Sequence, residues 1–132
     1  MRLSGTAALV IAGLAAVTLT ACGGQDNATP NLKGHWTGSY NFPTPTGPQH
    51  SALTLNIVGE QGQMVWGTEH WTSDGQDHSL AIRGSISPDD SGLVMALVGG
   101  FLTGTVGDNS LNLRFVITAD PATSFTVTLT RK

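Results

Sequence analysis

The side chains with the greatest capacity for chemistry in this sequence are histidines and a few carboxylates. They are His35, His50, His70 and His78, with Glu69, Asp74 and Asp77 close to the last two in sequence. Histidine is the commonest metal ligand and titrates near neutral pH. No compact ligand spacing such as HxH or HExxH occurs, and His50 and His78 begin predicted strands, where polar residues are common. We therefore expect no specific metal site and no cofactor.

Catalytic signatures are missing from the chain. Glu69 with Asp74 or Asp77 offers a pair of carboxylates for acid–base work, but Asp74 and Asp77 lie in a predicted flexible loop, Thr72 to Asp77, in which precise geometry is hard to maintain. There is no GxSxG elbow and no P-loop, and Gly99-Gly100 has no predicted helix after it. The sequence favours a protein that is not an enzyme.

Aromatic residues are few and concentrated early in the chain. Trp36, Tyr40, Trp66 and Trp71 are four of its eight aromatic residues. An inward tryptophan in a small barrel usually fills the core or plugs one end. Trp66 and Trp71 lie five residues apart on one predicted strand, so they face opposite sides. One of them is expected at a rim or surface, where it would contact a partner, a glycan or a bilayer interface.

The N-terminus has the pattern of an export signal. Arg2 precedes an apolar run from Ala7 to Val17, and the chain's single cysteine follows in Leu19-Thr20-Ala21-Cys22. This segment resembles the lipobox of bacterial lipoproteins, which implies cleavage before Cys22 and lipidation of that residue. The alternative is an ordinary secretory signal that leaves a free cysteine.

The lipoprotein resemblance implies a chain held to a membrane of the bacterial cell envelope, facing the periplasm or exterior. Residues 1–21 are then the signal peptide, and 22–31 are the lipidated cysteine with a flexible tether that contains no large apolar residue. Residues 32–132 form one domain. The single cysteine excludes a disulfide framework. A net charge of −3 with scattered basic residues provides no nucleic-acid footprint.

From Leu32 onward the apolar residues repeat with a period of two, and no amphipathic helix is visible. Eight strands are predicted, within residues 34–41, 50–58, 63–71, 78–86, 93–98, 101–106, 110–118 and 124–131. Their connections are short, so consecutive strands must be antiparallel. The pattern predicts an all-β domain, an eight-stranded antiparallel up-and-down β-barrel, with a two-sheet β-sandwich as the alternative. The proline-rich segment from Phe42 to Gln49 is expected to be a semi-rigid loop.

The first predicted strand carries a further resemblance. Leu32-x-Gly34-x-Trp36-x-Gly38-x-Tyr40 is similar to the first strand of calycin barrels, meaning lipocalins and avidins, and Gly67-Thr68-Glu69 running to Ile82-Arg83-Gly84 is similar to the second hairpin of avidins. The resemblance implies a barrel in which Trp36 plugs one end. It does not extend to biotin binding, because no tryptophan follows Trp71 and the polar biotin contacts are unmatched.

Taken together, the sequence predicts a binding module for a small apolar ligand or an envelope protein. A protease or lysozyme inhibitor is the alternative, by analogy with similar barrels. A barrel filled by its large inward residues would act through its outer surface, and a hollow one through its cavity. The 42–49 and 72–77 connections lie at one barrel end, where loops can be elaborated for binding. The expected site residues at that end are His50, His70, Trp71, Asp74, Asp77 and His78.

Overall fold

A computed structural model describes residues 30–132, which form eight β-strands and no helix. The strands are β1 (Gly34–Thr44), β2 (Gly47–Gln61), β3 (Met64–Ser73), β4 (Gln76–Ile86), β5 (Gly92–Leu97), β6 (Gly100–Val106), β7 (Ser110–Ile117) and β8 (Thr123–Arg131). The predicted signal peptide, Cys22 and most of the tether lie outside the described residues. Within residues 30–132, no helix has the length and apolarity that a membrane crossing requires.

The eight strands form a closed barrel in sequence order, each antiparallel to the next. Closure depends on two residue pairs between the first and last strands, Trp36 with Arg131 and Thr37 with Thr130. The predicted up-and-down barrel is therefore confirmed, and the sandwich alternative is wrong. Closure pairs the two edge strands with each other, so neither edge is left free to pair with another chain. This matters because the chain is poor in charge and has few lysines to keep an open edge from pairing.

Inward-facing side chains fill one end of the barrel, here called the closed end. The fully buried core there is large and apolar; it includes Leu32, Trp36, Leu55, Ile57, Ile82, Ile86, Leu93, Met95, Leu102, Leu111, Leu113 and Leu129. Trp36 donates its Nε1–H to the Leu32 carbonyl (2.8 Å), and the Arg131 guanidinium lies 4.2 Å above its ring. Glu60 accepts a hydrogen bond from the backbone N–H of Leu32 (2.7 Å). These contacts seal the closed end.

The segment from Phe42 to Gln49 is not a loop, and that prediction is wrong. β1 and β2 continue through it as a hairpin that pairs Phe42 with Gln49, Pro43 with Pro48 and Thr44 with Gly47. In a hairpin with a two-residue turn the closing pair exchanges hydrogen bonds and the next pair does not. The two prolines occupy this non-bonded pair. On the other side of each proline there is no neighbouring strand, because β8 pairs with β1 only at Trp36 and Thr37 and β3 pairs with β2 only from Leu53 onward. The N–H that each proline lacks would therefore have had no backbone partner.

The segment from Thr72 to Asp77 is likewise a tight hairpin rather than a loop. β3 and β4 pair Thr72 with Asp77 and Ser73 with Gln76, which leaves only Asp74 and Gly75 in the turn. Both turn residues have positive φ, 52° and 73°. Two such residues in sequence are characteristic of the type I′ turn, whose twist matches that of the flanking strands.

The two N-terminal hairpins are taller than the two C-terminal ones. β4 pairs with β5 only from Arg83 onward, and β1 pairs with β8 only at Trp36 and Thr37. The upper parts of β1 to β4 thus rise above the shorter β5 to β8 wall. This uneven rim surrounds the other end of the barrel, here called the open end.

Candidate functional site at the open end

The open end differs from the closed end in that its inward side chains remain partly accessible. Phe42, Trp71, Leu97 and Phe125 pack against the core yet are only partly buried. They come from β1, β3, β5 and β8, so they are distributed around the rim. We call this partly accessible apolar layer above the filled barrel the cup.

Stacked aromatic rings form one side of the cup. Phe115 stacks on Phe125 with centroids 4.9 Å apart, and Phe125 stacks on Tyr40 at 4.1 Å. Tyr40 lies 5.6 Å from Phe42, with the two rings tilted by 37°. This run extends from the fully buried Phe115 to the half-buried Phe42, and it joins the core to the rim.

Trp71 and His78 form the facing side. They are directly opposite on β3 and β4, and their rings stack with centroids 5.1 Å apart and an interplanar angle of 16°. Both side chains are half-buried, because they occupy inward positions close to the rim. This pair presents a broad aromatic surface with the polar nitrogens of two heterocycles.

A carboxyl group lies beneath this pair. Glu69 is the next inward residue of β3 below Trp71, it is only 5% exposed, and its direct neighbours across the strands are Leu55 and Leu80. Its Oε2 has no hydrogen-bond partner among residues 30–132. Burial among apolar groups disfavours the charged form and raises the pKa of Glu69 from 4.5 to about 7. The site therefore holds a carboxyl that is poised between its neutral and charged forms near neutral pH.

Two hydroxyl groups complete the polar part of the interior. Burial raises the pKa of Tyr40, the nearby Glu69 charge raises it further, and a hydrogen bond with Ser51 opposes the rise. Ser51 is also buried and donates to the Thr72 carbonyl at 2.8 Å. The interior at this end thus combines aromatic walls with a small polar centre.

The structure divides the predicted site residues between the two faces of the wall. Trp71 and His78 face inward. His50, His70 and Asp77 are exposed on the outer face. The His50 Nδ1 is hydrogen-bonded to the Asn41 Oδ1 (3.0 Å), and the His70 Nε2 lies 3.0 Å from the Thr68 hydroxyl. The Asp77 carboxylate accepts a hydrogen bond from the Thr72 hydroxyl (2.9 Å). Asp74 is in the β3–β4 turn. All six lie toward the open end, and four of them, His70, Trp71, Asp77 and His78, border one cleft of about 300 Å³ in the wall. His50 and Asp74 do not line this cleft.

Sequence reasoning undervalued Glu69, Tyr40 and Ser51. Glu69 was expected beside a flexible loop, within reach of Asp74 or Asp77 as a carboxylate pair. It instead lies inside the barrel, while Asp77 is on the outer wall. The sequence did contain a signal for this burial. Glu69 and Trp71 are two residues apart on β3 and so lie on the same face of the strand, and the alternation that turns Trp71 inward also buries Glu69.

The outer wall carries other concave surfaces. An open groove of about 840 Å³ crosses β6, β7, β8 and β1, and it is lined largely by threonines with Asn112 and Arg114. Among residues 30–132, no group of three or more His, Cys, Asp or Glu side chains is arranged to hold a metal ion. This groove is open to solvent along the outer wall.

Comparisons with known proteins bear on the fold alone. No model of a protein family matches the chain, and no curated protein sequence matches it. Among solved structures the chain is similar to a redesigned β-barrel, b11L5F_LGL, with a TM-score of 0.54 and 18% identity over 76% of this chain and 91% of that one. It is also similar to Rv2717c from M. tuberculosis, with a TM-score of 0.47 and 16% identity over 76% of this chain and 92% of that one. The first of these likenesses supports the barrel architecture.

Proposed function

We propose that this chain is a lipid-anchored, non-catalytic binding protein of the bacterial cell envelope, whose open end receives the apolar, amine-bearing end of a small ligand. The observation that carries the proposal is the buried Glu69 Oε2, which has no hydrogen-bond partner among the described residues. A buried polar atom without a partner costs about 1–3 kcal/mol. A ligand that donates to this oxygen recovers that cost on binding.

The surroundings of Glu69 favour a cationic donor over a neutral one. An ammonium group would stabilise the carboxylate, and the low-polarity walls would strengthen the attraction between them. The faces of Trp71 and Tyr40 are electron-rich and attract a cation that lies against them. An arylalkylamine or a similar amine combines the required ammonium with an apolar group that stacks on these rings.

The filled closed end limits how far a ligand can enter. Trp36, Leu55 and Phe115 are completely buried below the cup, so only the few inward layers above them are available. Trp71 and His78 lie between Glu69 and the rim, and a ligand must displace their stacked rings to reach the carboxyl. We therefore propose a ligand that inserts a compact head group and leaves any longer portion at the rim.

The experiment is a titration of the mature chain with three matched probes: 2-phenylethylamine, 2-phenylethanol and phenylacetate. Binding is followed by the change in tryptophan fluorescence, to which Trp71 contributes together with Trp36 and Trp66. We expect the amine to bind at least tenfold more tightly than the alcohol, and the carboxylate not to bind. Glu69→Gln should abolish the preference for the amine, because the glutamine cannot carry the opposing charge.

Two histidines provide a matched control for the location of the site. His78→Ala removes an inward ring that stacks on Trp71, whereas His70→Ala removes an outward ring on the same hairpin. His78→Ala removes one of the two rings that a ligand must displace, so the proposal requires that it strengthens amine binding and that His70→Ala leaves it unchanged. Equal effects of both variants, or a preference for the amine that persists in Glu69→Gln, would contradict it.

The anchoring part of the proposal rests on Leu19-Thr20-Ala21-Cys22 and on the tether that follows. In a bacterium fed radiolabelled palmitate, the chain should incorporate the label and partition into detergent. Cys22→Ser should prevent both. Detergent partitioning that is the same in Cys22→Ser would refute the anchor while leaving the ligand site untouched.

A further inference from the structure

Several exposed apolar side chains gather on the outer wall near the closed end. Val58 and Met64 are each 56% exposed, Val94 is 52% exposed and Trp66 is 38% exposed. Met64 and Val94 both lie across from Ser85, so these residues share one outer surface of β2 to β5. We call this surface the closed-end patch.

Local backbone geometry creates the patch. The β2–β3 register shifts between Ile57 and Gly59, so Val58 is an extra residue that faces outward. The Trp66 ring lies against Gly59, where an added Cβ would come within 2.0 Å of it. Met64, Trp66 and Arg83 line a shallow depression of about 430 Å³. The patch is therefore a built surface that holds a tryptophan flat beside an arginine.

The tether joins the barrel at this same hairpin. The backbone N–H of Leu32 donates to Glu60 of β2, and Asn31, Lys33, Glu60 and Gly62 line a common cleft. The nine residues 23–31 separate Cys22 from this point. At roughly 3.3–3.6 Å per residue, the ten steps from Cys22 to Leu32 reach at most about 36 Å. A flexible chain of this length spans only about 17 Å on average.

The length of the barrel then limits which end can approach the bilayer. The eight residues of β7 span about 26 Å along the wall, at ~3.3 Å per residue. A tether that ran back to the open end would use most of its maximal length. A tether of average length is shorter than this wall, so it holds the closed end nearer to the bilayer than the open end.

We propose that the closed-end patch is a membrane-docking surface, which lies on the lipid interface and turns the open end away from the bilayer. This inference rests on the lipid anchor of the proposed function. Tryptophan and arginine suit the interface, because the indole is both apolar and a hydrogen-bond donor and the guanidinium pairs with phosphate. The acylated cysteine and the apolar patch contact the same surface, so the anchor makes binding of the patch effectively intramolecular.

The test uses the full lipidated chain in vesicles of phosphatidylethanolamine and phosphatidylglycerol, with or without a lipid that carries a nitroxide near its head group. The nitroxide quenches tryptophan only at close range. Trp66→Phe and Trp71→Phe are a matched pair at opposite ends of the barrel. We expect the wild type and Trp71→Phe to be quenched, and Trp66→Phe to lose most of the quenching. Val58→Ser with Met64→Ser should also reduce it, whereas Val98→Ser, at a still more exposed valine of the open end, should not.

Sedimentation with the vesicles distinguishes failure of the docking surface from failure of the anchor. Protein that sediments with vesicles but shows no quenching would overturn the docking surface and leave the anchor intact. Quenching that Trp71→Phe removes and Trp66→Phe retains would mean that the open end faces the membrane, which also overturns the inference. Protein that does not sediment would overturn both the anchor and the docking.

Discussion

Replacement of Glu69 by glutamine should change how the stability of the barrel depends on pH. Burial raises the pKa of Glu69 from 4.5 in the unfolded chain to about 7 in the folded protein. The folded state therefore binds more protons than the unfolded state between these two values. The stabilisation from the neutral carboxyl is fully present below pH 4.5 and is lost as the pH rises through 7. At about 1.4 kcal/mol per pH unit, the free energy of unfolding falls by about 3 kcal/mol across this range.

The assay is urea unfolding of the wild type and Glu69→Gln at a series of pH values from 4 to 9, with tryptophan fluorescence as the signal. Glutamine has nearly the same shape as protonated glutamate and does not titrate. The other ionisable groups are common to both proteins, so the difference between the two free energies isolates Glu69. The variant should gain about 3 kcal/mol relative to the wild type between pH 4.5 and 8.

Two results would refute this reasoning. A difference that stays constant with pH would mean that Glu69 titrates alike in the folded and unfolded chains, which its burial does not permit. A difference with the opposite slope would mean that the native barrel stabilises the charged carboxylate, for example through a cationic group held in the cup.

Further substitutions test the fold. Leu113→Ala, in the buried core, should lower the free energy of unfolding by about 2–5 kcal/mol, whereas Thr126→Ala on the outer face should change it by less than about 0.5 kcal/mol. Gly104→Ala places a Cβ 2.0 Å from the Asn112 carbonyl oxygen and should cost about 1–3 kcal/mol. Gly75→Ala meets no atom within 4 Å but has a φ of 73°, so it should cost about 1–2 kcal/mol from backbone strain alone. Urea midpoints at constant slope measure all four.

The barrel could be predicted from the sequence because its two determinants are local. Alternation over Leu53, Leu55 and Ile57, or over Leu111 and Leu113, assigns the faces of each strand, and the structure buries all five. Short connections then leave only antiparallel neighbours. Eight strands with this pattern have few other ways to pair their edges.

The errors arose where the outcome depends on register between strands. Pro43 and Pro48 are compatible with a ladder only when they face each other in a non-hydrogen-bonded pair, and that pairing is a property of the hairpin rather than of either residue. The Asp74-Gly75 turn, in contrast, had a readable signal, because Asp-Gly is a preferred type I′ pair. The burial of Glu69 could be inferred from its position two residues before Trp71 on the same strand face. The lack of a hydrogen-bond partner for its Oε2 among the described residues could not, because it depends on which side chains pack around it.

The most direct test of the central claim is a crystal structure of the chain in complex with 2-phenylethylamine. The account predicts the ammonium within hydrogen-bond distance of Glu69 Oε2 and the phenyl ring inside the cup, with the Trp71–His78 stack opened to admit it. Amine bound only in the outer groove beside Asn112 and Arg114, with Glu69 Oε2 satisfied by an ordered water and the Trp71–His78 stack unchanged, would contradict it.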